Sequence, residues 1–300
     1  MSSSAAPTPS TAEVVTQANV LVGPKVMLEG ASGTGKTYAL GTLVDWAKKH
    51  DKKVFVHFIE NGLESLLGYW TDRGLPVPDN LHWHNSLVRP LGLKSIMRAA
   101  EDVGRLSYEM VTKLQDADRS KNNPFHKILT ACADFPDDRT GQKFGPVDEF
   151  GSDCIYVEDS LSELSNAVMK MVIGNKPTAA PSDYGVAQNN LMNYLRLHTQ
   201  GSRYTYVLIA HVGRETDEIT GGVKLMTKAV GKAMSGDIPQ LFSDVIYTVR
   251  EGNRWYWDTA AGNVDTKTRN LPVASKITPD FGQIMDKWKS RAEGVTRAKS

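Results

Sequence analysis

The chain has 300 residues, of which 40% are hydrophobic and 23% are charged, and its formal net charge is +1. This composition is ordinary for a globular protein, and the length allows one large α/β domain or two small ones. The near-zero charge excludes a global field that would draw the protein onto nucleic acid or membrane, so any such binding requires a local patch.

Targeting and redox features are sparse. No stretch approaches the roughly 20 apolar residues that a membrane span requires, and the opening MSSSAAPTPS lacks the basic start and apolar block of a secretory signal. Residues 1–18 are predicted to form a flexible tail. Cys132 and Cys154 are the only cysteines, too few for a disulfide framework. We therefore expect a cytoplasmic protein without a membrane partner.

The first third of the chain alternates strand and helix patterns. The apolar run Val26–Leu28 predicts a buried strand that ends at Gly30, and apolar residues at helical spacing predict a helix from Gly35 to about His50. The elements predicted next are a strand at 54–60, a helix at 63–71, a turn-rich connector at 72–80, a strand at 81–87 and a helix at about 93–113.

The remainder of the chain continues this alternation after an interruption. Residues 116–152 have few periodic apolar positions beyond a short helical pattern near 125–133, and they are predicted to form an irregular insertion or lid within a core at 19–275. The elements predicted after it are a strand at 154–159, helices at 161–173 and 183–199, a strand at 204–211, a hairpin at 244–259 and a polar, mildly basic tail at 276–300. The pattern predicts an α/β fold: a mostly parallel sheet flanked by helices, with a C-terminal antiparallel hairpin.

A complete phosphate-loop motif, G-x-x-x-x-G-K-[ST], lies between the first strand and the first helix. Its small residues let backbone N–H groups surround anionic oxygens, and the helix directs its positive end to the same place. Lys36 is expected to reach the β- and γ-phosphates of ATP, and the Thr37 hydroxyl to bind Mg²⁺. The predicted cofactor-binding residues are Gly30, Ala31, Ser32, Gly33, Thr34, Gly35, Lys36, Thr37 and Tyr38.

Such a loop requires a carboxylate near the metal, usually at the end of a buried strand. The strand Cys154–Val157 leads directly into Glu158 and Asp159. Because side chains alternate along a strand, only one of the two carboxylates can face the metal. We favour Asp159 as the metal residue, and Glu158 remains the alternative.

Hydrolysis also requires a group that orients and polarises water. Glu60 ends the second predicted strand and is the expected catalytic residue, with Glu64 as the second choice. His211 closes the strong strand YTYVLIAH, where it is expected to contact the γ-phosphate or the attacking water.

Several segments together resemble the RecA-like ATPases of tailed bacteriophages, which are often labelled AAA-family ATPases and are linked to single-strand annealing recombination. The similarity covers roughly residues 20–275 and is carried by GASGTGKT, VHFIEN, IYVEDSLSEL, YVLIAHVGRE and VDTKTRNLP. The resemblance implies a RecA-like fold with catalytic Glu60, metal-binding Asp159 and a sensor at His211. It also implies that Lys267 and Arg269 enter the nucleotide site of a neighbouring subunit, so that the protein is a homo-oligomer.

The sequence departs from related motors at some positions. The Glu-Asp order at the metal strand differs from the Asp-Glu order of AAA+ motors. DNA-binding loops of RecA-like proteins follow the late core strands, which correspond here to 214–232. That segment has Lys224, Lys228 and Lys232, but it also has acidic residues and lacks stacking aromatics.

We expect a Mg²⁺-dependent ATPase that acts with single-stranded DNA, and with other recombination or replication proteins, in phage recombination, repair or replication. The alternative is an ATP-dependent switch or assembly factor that binds a protein partner and no DNA. A third hypothesis is a small-molecule kinase, for which Arg139 and Lys143 of the insertion are the available lid cations.

Overall fold

The computed structural model describes residues 21–87, 123–174, 179–216 and 222–297, with isolated positions at 93, 94, 97 and 101. The tail expected at 1–18 and nearly all of the helix expected at 93–113 lie outside the described residues. No helix in the described ranges is long and apolar enough to cross a membrane.

Strands and helices alternate along the chain as the sequence pattern predicts. The strands are β1 (Lys25–Gly30), β2 (Lys53–Phe58), β3 (Leu81–Asn85), β4 (Cys154–Asp159), β5 (Thr205–Thr216), β6 (Val223–Thr227), β7 (Asp244–Glu251) and β8 (Arg254–Asp258). The helices are α1 (Lys36–Lys49), α2 (Leu63–Thr71), α3 (Pro124–Ala133), α4 (Leu161–Ile173), α5 (Pro181–Gln200), α6 (Lys232–Asp237) and α7 (Gly282–Arg297), with short 3₁₀ turns at Val147–Glu149 and Ile238–Leu241.

The strands form one sheet in the order β3-β2-β4-β5-β1-β7-β8, and β6 pairs with β5 outside this path. The pairs from β3 through to β7 are parallel, whereas β7–β8 and β5–β6 are antiparallel. This topology confirms the predicted α/β fold class, a mostly parallel sheet flanked by helices with a C-terminal antiparallel hairpin. It also brings the carboxyl ends of β1, β2, β4 and β5 to one edge of the sheet.

An apolar core covers each face of the sheet. On β1, Val26 and Leu28 pack on the face that carries α1, α2 and α7. Met27 packs on the other face with α3, α4, α5 and α6. This alternation follows from the period of two in a strand, and burial of the apolar residues on both faces explains why the core strands read as nearly continuous apolar runs.

The segment predicted to be an irregular insertion packs against the core in its described part. Helix α3 begins after Asn123, whose side chain accepts a hydrogen bond from the Phe125 backbone N–H at 2.9 Å. Phe125, Phe135 and Phe150 are buried in the same apolar core as Met27 of β1. These aromatic anchors are too widely spaced to produce a helical or strand period, which is why the sequence pattern alone indicates a loop.

The segment 276–300, predicted to be a polar, mildly basic tail, instead forms helix α7 over most of its length. Phe281, Ile284 and Met285 are fully buried, and Trp288 packs beside them. These positions follow the i, i+3, i+4, i+7 spacing of an amphipathic helix, although its polar face dominates the composition. The Trp46 indole donates a hydrogen bond to Asp286 Oδ1 at 2.6 Å, which fixes α7 against α1.

Candidate nucleotide-binding site

The phosphate-loop residues connect the buried end of β1 to the first turn of α1. Gly33 and Gly35 have φ angles of 77° and 78°, a left-handed conformation that favours glycine. The Lys36 ammonium donates hydrogen bonds to the carbonyl oxygens of Gly30 at 3.0 Å and Ala31 at 2.7 Å. Burial lowers the pKa of Lys36 to about 8, although the charges of Asp159 and Glu60 act in the opposite direction. The lysine is therefore held at the loop and faces two carboxylates.

Thr37 and Asp159 form the second part of the site. The Thr37 hydroxyl donates to Asp159 Oδ2 at 2.7 Å, and Asp159 is buried at the end of β4. Burial raises the pKa of Asp159 to about 7, with a further upward contribution from the charge of Glu60. Its Oδ1 atom is buried and has no hydrogen-bond partner in the described part of the chain. A buried carboxylate with an unsatisfied oxygen next to a threonine hydroxyl fits a hard cation such as Mg²⁺.

Glu158, the alternative metal residue, points to the opposite face of the sheet. Its carboxylate accepts hydrogen bonds from Tyr156, Tyr194 and Tyr206 within the core. Burial raises the pKa of Glu158, whereas these tyrosine hydroxyls act to lower it. Since the residue lies in the core away from Thr37, this geometry favours Asp159 for the metal.

Glu60 and His211 meet at the same edge of the sheet. His211 pairs in register with Gly30, and its Nε2 atom lies 3.0 Å from Glu60 Oε1. Burial acts to raise the pKa of Glu60, but hydrogen bonds to His211 and Ser160 and the charge of His211 outweigh it, so the pKa is lowered. Glu60 is therefore ionised. Its position is set by His211 on β5, which lies about 150 residues later in the chain.

Lys36, Thr37, Glu60 and His211 open onto one pocket of about 810 Å³, whereas Asp159 is buried against Thr37 and is not among the lining residues. Its lining includes Ser32, Gly33, Thr34, Gly35, Lys36, Thr37, Tyr38, Glu60, Asn61, Leu63, Glu64, Ser65, Leu67, Gly68, Thr71, Asp72, His211 and Trp255. The structure therefore brings together most of the side chains predicted for nucleotide binding and catalysis, including the second choice Glu64. The volume lies within the range of small-molecule sites.

Lys267 and Arg269 lie elsewhere. Lys267 pairs with Val245 through two backbone hydrogen bonds, and the backbone N–H of Arg269 donates to Asp244 Oδ1. Asp244 begins β7 and lies beside Val26, near the amino end of β1. The phosphate loop follows the carboxyl end of β1. The two basic residues are therefore at the opposite edge of the sheet from the nucleotide pocket of their own chain.

Among the basic residues of 214–232, Arg214 and Lys224 lie on the antiparallel pair of β5 and β6, and Lys228 and Lys232 follow it. Beyond His211, β5 continues to Thr216 and pairs with β6, so that Arg214 lies opposite Leu225. Lys224 forms an ion pair with Asp265 at 3.1 Å. The backbone N–H of Lys228 donates to His211 O at 2.7 Å. Lys232 begins α6, and its side chain lies outside the described residues.

Trp255 is a pocket residue that the sequence analysis does not select. It lies on β8, and its indole N–H donates to Gly33 O at 3.1 Å. The indole packs on the phosphate loop so closely that a Cβ built at Gly35 would lie 2.7 Å from the ring. An aromatic run at a hairpin indicates a strand, but nothing in its spacing connects it to a loop more than 200 residues earlier.

Comparisons with known proteins give limited information. No protein-family model matches the chain, and no curated protein sequence matches it. Among solved structures, it is similar to one described as a prototypical ATPase from the type III secretion system of pathogenic bacteria, with 13% identity and a TM-score of 0.37. The similarity covers 77% of this chain and 54% of that one, so the chain spans about half the length of its neighbour. The values are too low to support any functional argument.

Proposed function

We propose that this protein is a Mg²⁺-dependent ATPase. The observation that carries the proposal is the convergence of a phosphate loop and a glutamate–histidine pair on one pocket, with the buried carboxylate of Asp159 in contact with the pocket residue Thr37. Lys36, Thr37 with Asp159, and Glu60 with His211 come from four parallel strands and their following loops. Each group matches a distinct requirement of phosphoryl transfer: Lys36 provides charge neutralisation, Thr37 with Asp159 provides metal binding, and Glu60 with His211 provides water orientation.

In the proposed mechanism, the backbone N–H groups of the phosphate loop and the α1 amino terminus bind the β-phosphate, and Lys36 contacts the β- and γ-phosphates. Thr37 and Asp159 would hold Mg²⁺, which would supply further neutralisation of phosphate charge. Glu60 orients a water molecule for in-line attack and accepts its proton, because its lowered pKa keeps it ionised. His211 contacts the γ-phosphate or the attacking water and so reports its presence to β5.

The finer proposal is a RecA-like ATPase that acts as an oligomer with single-stranded DNA in phage recombination, repair or replication, in a bacterial host cytoplasm. Its support is the β5–β6 hairpin, because His211 and the basic residue Arg214 share one continuous strand. A change at His211 would therefore be transmitted directly to that hairpin. Arg139 and Lys143 do not support the kinase hypothesis, since Arg139 is bound to Pro78 O and Lys143 to Asp134.

Steady-state ATP hydrolysis with and without single-stranded DNA tests the proposal. Lys36→Ala should abolish turnover, whereas Lys49→Ala, an exposed change on the same helix, should leave it intact. Equal turnover in Lys36→Ala and wild type would contradict the assignment of the site. Hydrolysis that is indifferent to DNA would retain the ATPase and favour the alternative, a switch that binds a protein partner.

A further inference from the structure

Three side chains of the kinds that bind metal ions meet on the face of the sheet that packs against α3, α4 and α5. His57 on β2 and Glu158 on β4 are partners in register on adjacent parallel strands, and both are fully buried. Cys132 lies near the end of α3, and its Sγ atom is 3.9 Å from His57 Nδ1. One donor atom of each residue lies within 4.8 Å of the donor atoms of the other two.

A tyrosine hydroxyl adjoins all three donor atoms. Tyr156 lies two residues before Glu158 and therefore on the same face of β4. Its Oη atom is 2.9 Å from His57 Nδ1, 3.4 Å from Cys132 Sγ and 3.2 Å from Glu158 Oε1. A tetrahedral zinc ion with ligand distances of about 2.0 to 2.3 Å separates its donor atoms by roughly 3.3 to 3.6 Å. The four atoms are therefore close to the spacing of such a site.

The charge of the cluster also favours a cation. The hydrogen-bond partners of the Glu158 carboxylate are the hydroxyls of Tyr156, Tyr194 and Tyr206. In the part of the chain that the structure describes, no lysine or arginine forms an ion pair with this carboxylate. Burial removes the solvation of a carboxylate, and neutral hydroxyls restore it only in part. A divalent cation bound by this carboxylate and a thiolate leaves the site neutral.

The imidazole is oriented by a second contact, and the cluster is reachable from solvent. His57 Nε2 lies 2.7 Å from Ser86 Oγ, so that Nδ1 is directed toward the cluster. A hydrogen bond to the other ring nitrogen is typical of histidines that bind metals. Ser86 and Cys132 are both partly exposed, which provides a route for an ion.

We propose that this cluster, with Tyr156 as the fourth ligand, is a zinc site separate from the Mg²⁺ of the phosphate-loop site. An imidazole nitrogen, a thiolate and a carboxylate form a mixed ligand set that selects Zn²⁺ over Mg²⁺. The Cys132 thiol loses its proton to solvent as the Zn–S bond forms. The ion joins α3 to β2 and β4 on the face opposite to the contact of Asp159 with Thr37. Its role is therefore to stabilise the packing of α3, independently of ATP hydrolysis.

Cobalt substitution tests the site, because Co²⁺ occupies tetrahedral zinc sites and has absorption bands that Zn²⁺ lacks. The full chain is freed of metal with a chelator under reducing conditions, and Co²⁺ is then titrated in the presence of excess Mg²⁺. We expect one-to-one binding with intense tetrahedral d–d bands and a thiolate-to-Co²⁺ charge-transfer band. Addition of Zn²⁺ should remove these bands and raise the Tm relative to the metal-free protein.

Two variants and a matched control identify the ligands. Cys132→Ser should abolish the charge-transfer band and weaken Zn²⁺ binding at least about 100-fold, the upper end of the loss for an outer-shell partner. Cys154→Ser should retain the band, because Cys154 is the only other cysteine and lies at the opposite end of β4 from Glu158. Glu158→Gln retains an acceptor for the tyrosine hydroxyls and should also weaken Zn²⁺ binding, which keeps the test decisive if Cys132→Ser does not fold.

Three outcomes would overturn the site. A wild-type protein that binds no Co²⁺ would show that the cluster is only a hydrogen-bonded network of the core. Co²⁺ binding without a charge-transfer band would place the ion away from cysteine, for example at the Glu60–His211 pair. A band that persists in Cys132→Ser or disappears in Cys154→Ser would assign the wrong thiolate. None of these measurements involves ATP, so the proposed function stands or fails separately.

Discussion

At the scale of single residues, the pocket depends on ionisable groups that burial perturbs in different directions. Asp159 and Lys36 lose solvation, which raises the pKa of the acid and lowers that of the base. Burial acts to raise the pKa of Glu60 as well, but its hydrogen bonds and the charge of His211 together outweigh burial, so its pKa is lowered. Neighbouring titratable groups whose environments shift their pKa values in opposite directions are typical of functional sites.

Replacement of the expected catalytic residue should separate binding from turnover. Glu60→Gln should reduce kcat by roughly 10²- to 10⁴-fold, because the amide cannot accept the proton of the attacking water. Nucleotide affinity should persist, since Lys36 and the loop are unchanged. Glu64→Gln is the matched control and should retain turnover. The opposite pattern, with Glu64→Gln inactive and Glu60→Gln active, would transfer the catalytic role to Glu64.

Glu29 should make stability depend on pH without any involvement in catalysis. Its Oε2 atom accepts a hydrogen bond from Thr227 at 2.6 Å, and burial raises its pKa from 4.5 to about 7. The folded protein thus retains a proton that the unfolded chain releases, so the associated stability is complete below pH 4.5 and is lost as the pH rises to about 7. The expected decrease in the free energy of unfolding is roughly 3 kcal/mol.

Urea unfolding at pH 5 and pH 8 measures this dependence. Glu29→Gln should reduce the difference between the two pH values, because the amide mimics the protonated acid. Glu149→Gln, at an exposed position, should leave the difference as in wild type. A pH profile of Glu29→Gln that matches wild type would rule out Glu29 as the titrating group.

At the scale of elements, long-range contacts decide which segments belong to the folded core. Helix α7 has a strongly polar composition, yet Phe281, the residue immediately before it, is fully buried and packs edge-on against Trp257 at 5.1 Å. The β5–β6 pair shows the converse. Strand β5 is buried from Thr205 to Ala210 and continues outward until Arg214 and Thr216 are exposed. Both elements extend the parallel core of the sheet in directions that its central strands do not specify.

A single substitution tests whether α7 is an integral part of the fold. Phe281→Ala should lower the free energy of unfolding by about 3 to 5 kcal/mol, because it removes a buried ring and leaves a cavity. Denaturant unfolding provides the measurement. Val295→Ala, within α7 and 43% exposed, should change stability by less than about 0.5 kcal/mol. Equal, small effects of the two substitutions would mean that α7 does not stabilise the core.

At the scale of the whole molecule, the two edges of the sheet have different chemistry. The carboxyl edge carries the pocket beside the phosphate loop. The amino edge carries a smaller pocket of about 330 Å³, whose cationic lining residues are Lys25, Lys267, Arg269 and Arg291. A role of Arg269 in hydrolysis therefore requires the amino edge of one molecule to meet the carboxyl edge of another. Such a head-to-tail contact generates rings or filaments.

Mixing of two inactive variants tests this arrangement. Arg269→Ala should reduce turnover by about 10³-fold or more if the guanidinium stabilises the transferred phosphoryl group of a neighbour. Adding Lys36→Ala protein should restore part of the activity, because a Lys36→Ala subunit supplies an intact Arg269 to the intact phosphate-loop site of an Arg269→Ala subunit. Arg203→Ala, an exposed change near the start of β5, should be active alone. Absence of recovery in a mixture of the two folded variants would argue against catalysis across subunits.

Local periodicity alone predicts the parts of this protein that depend on short-range spacing. These parts are the phosphate loop, the strands that lead to Glu60, Asp159 and His211, and the α/β alternation, because neighbouring residues dictate turns, helix starts and strand faces. Alternation also showed that Glu158 and Asp159 must point in opposite directions. It could not show which of them faces the loop.

The features that depend on contacts between distant segments follow from the three-dimensional structure alone. The pairing of β4 within the sheet directs Asp159 toward Thr37, and the β7–β8 hairpin brings Trp255 onto the loop. The same sheet separates Arg269 from the pocket of its own chain, and α7 packs where composition indicated a tail. The physical reason is common to all four: burial and strand register are set by the whole sheet, and no window of local sequence contains that information.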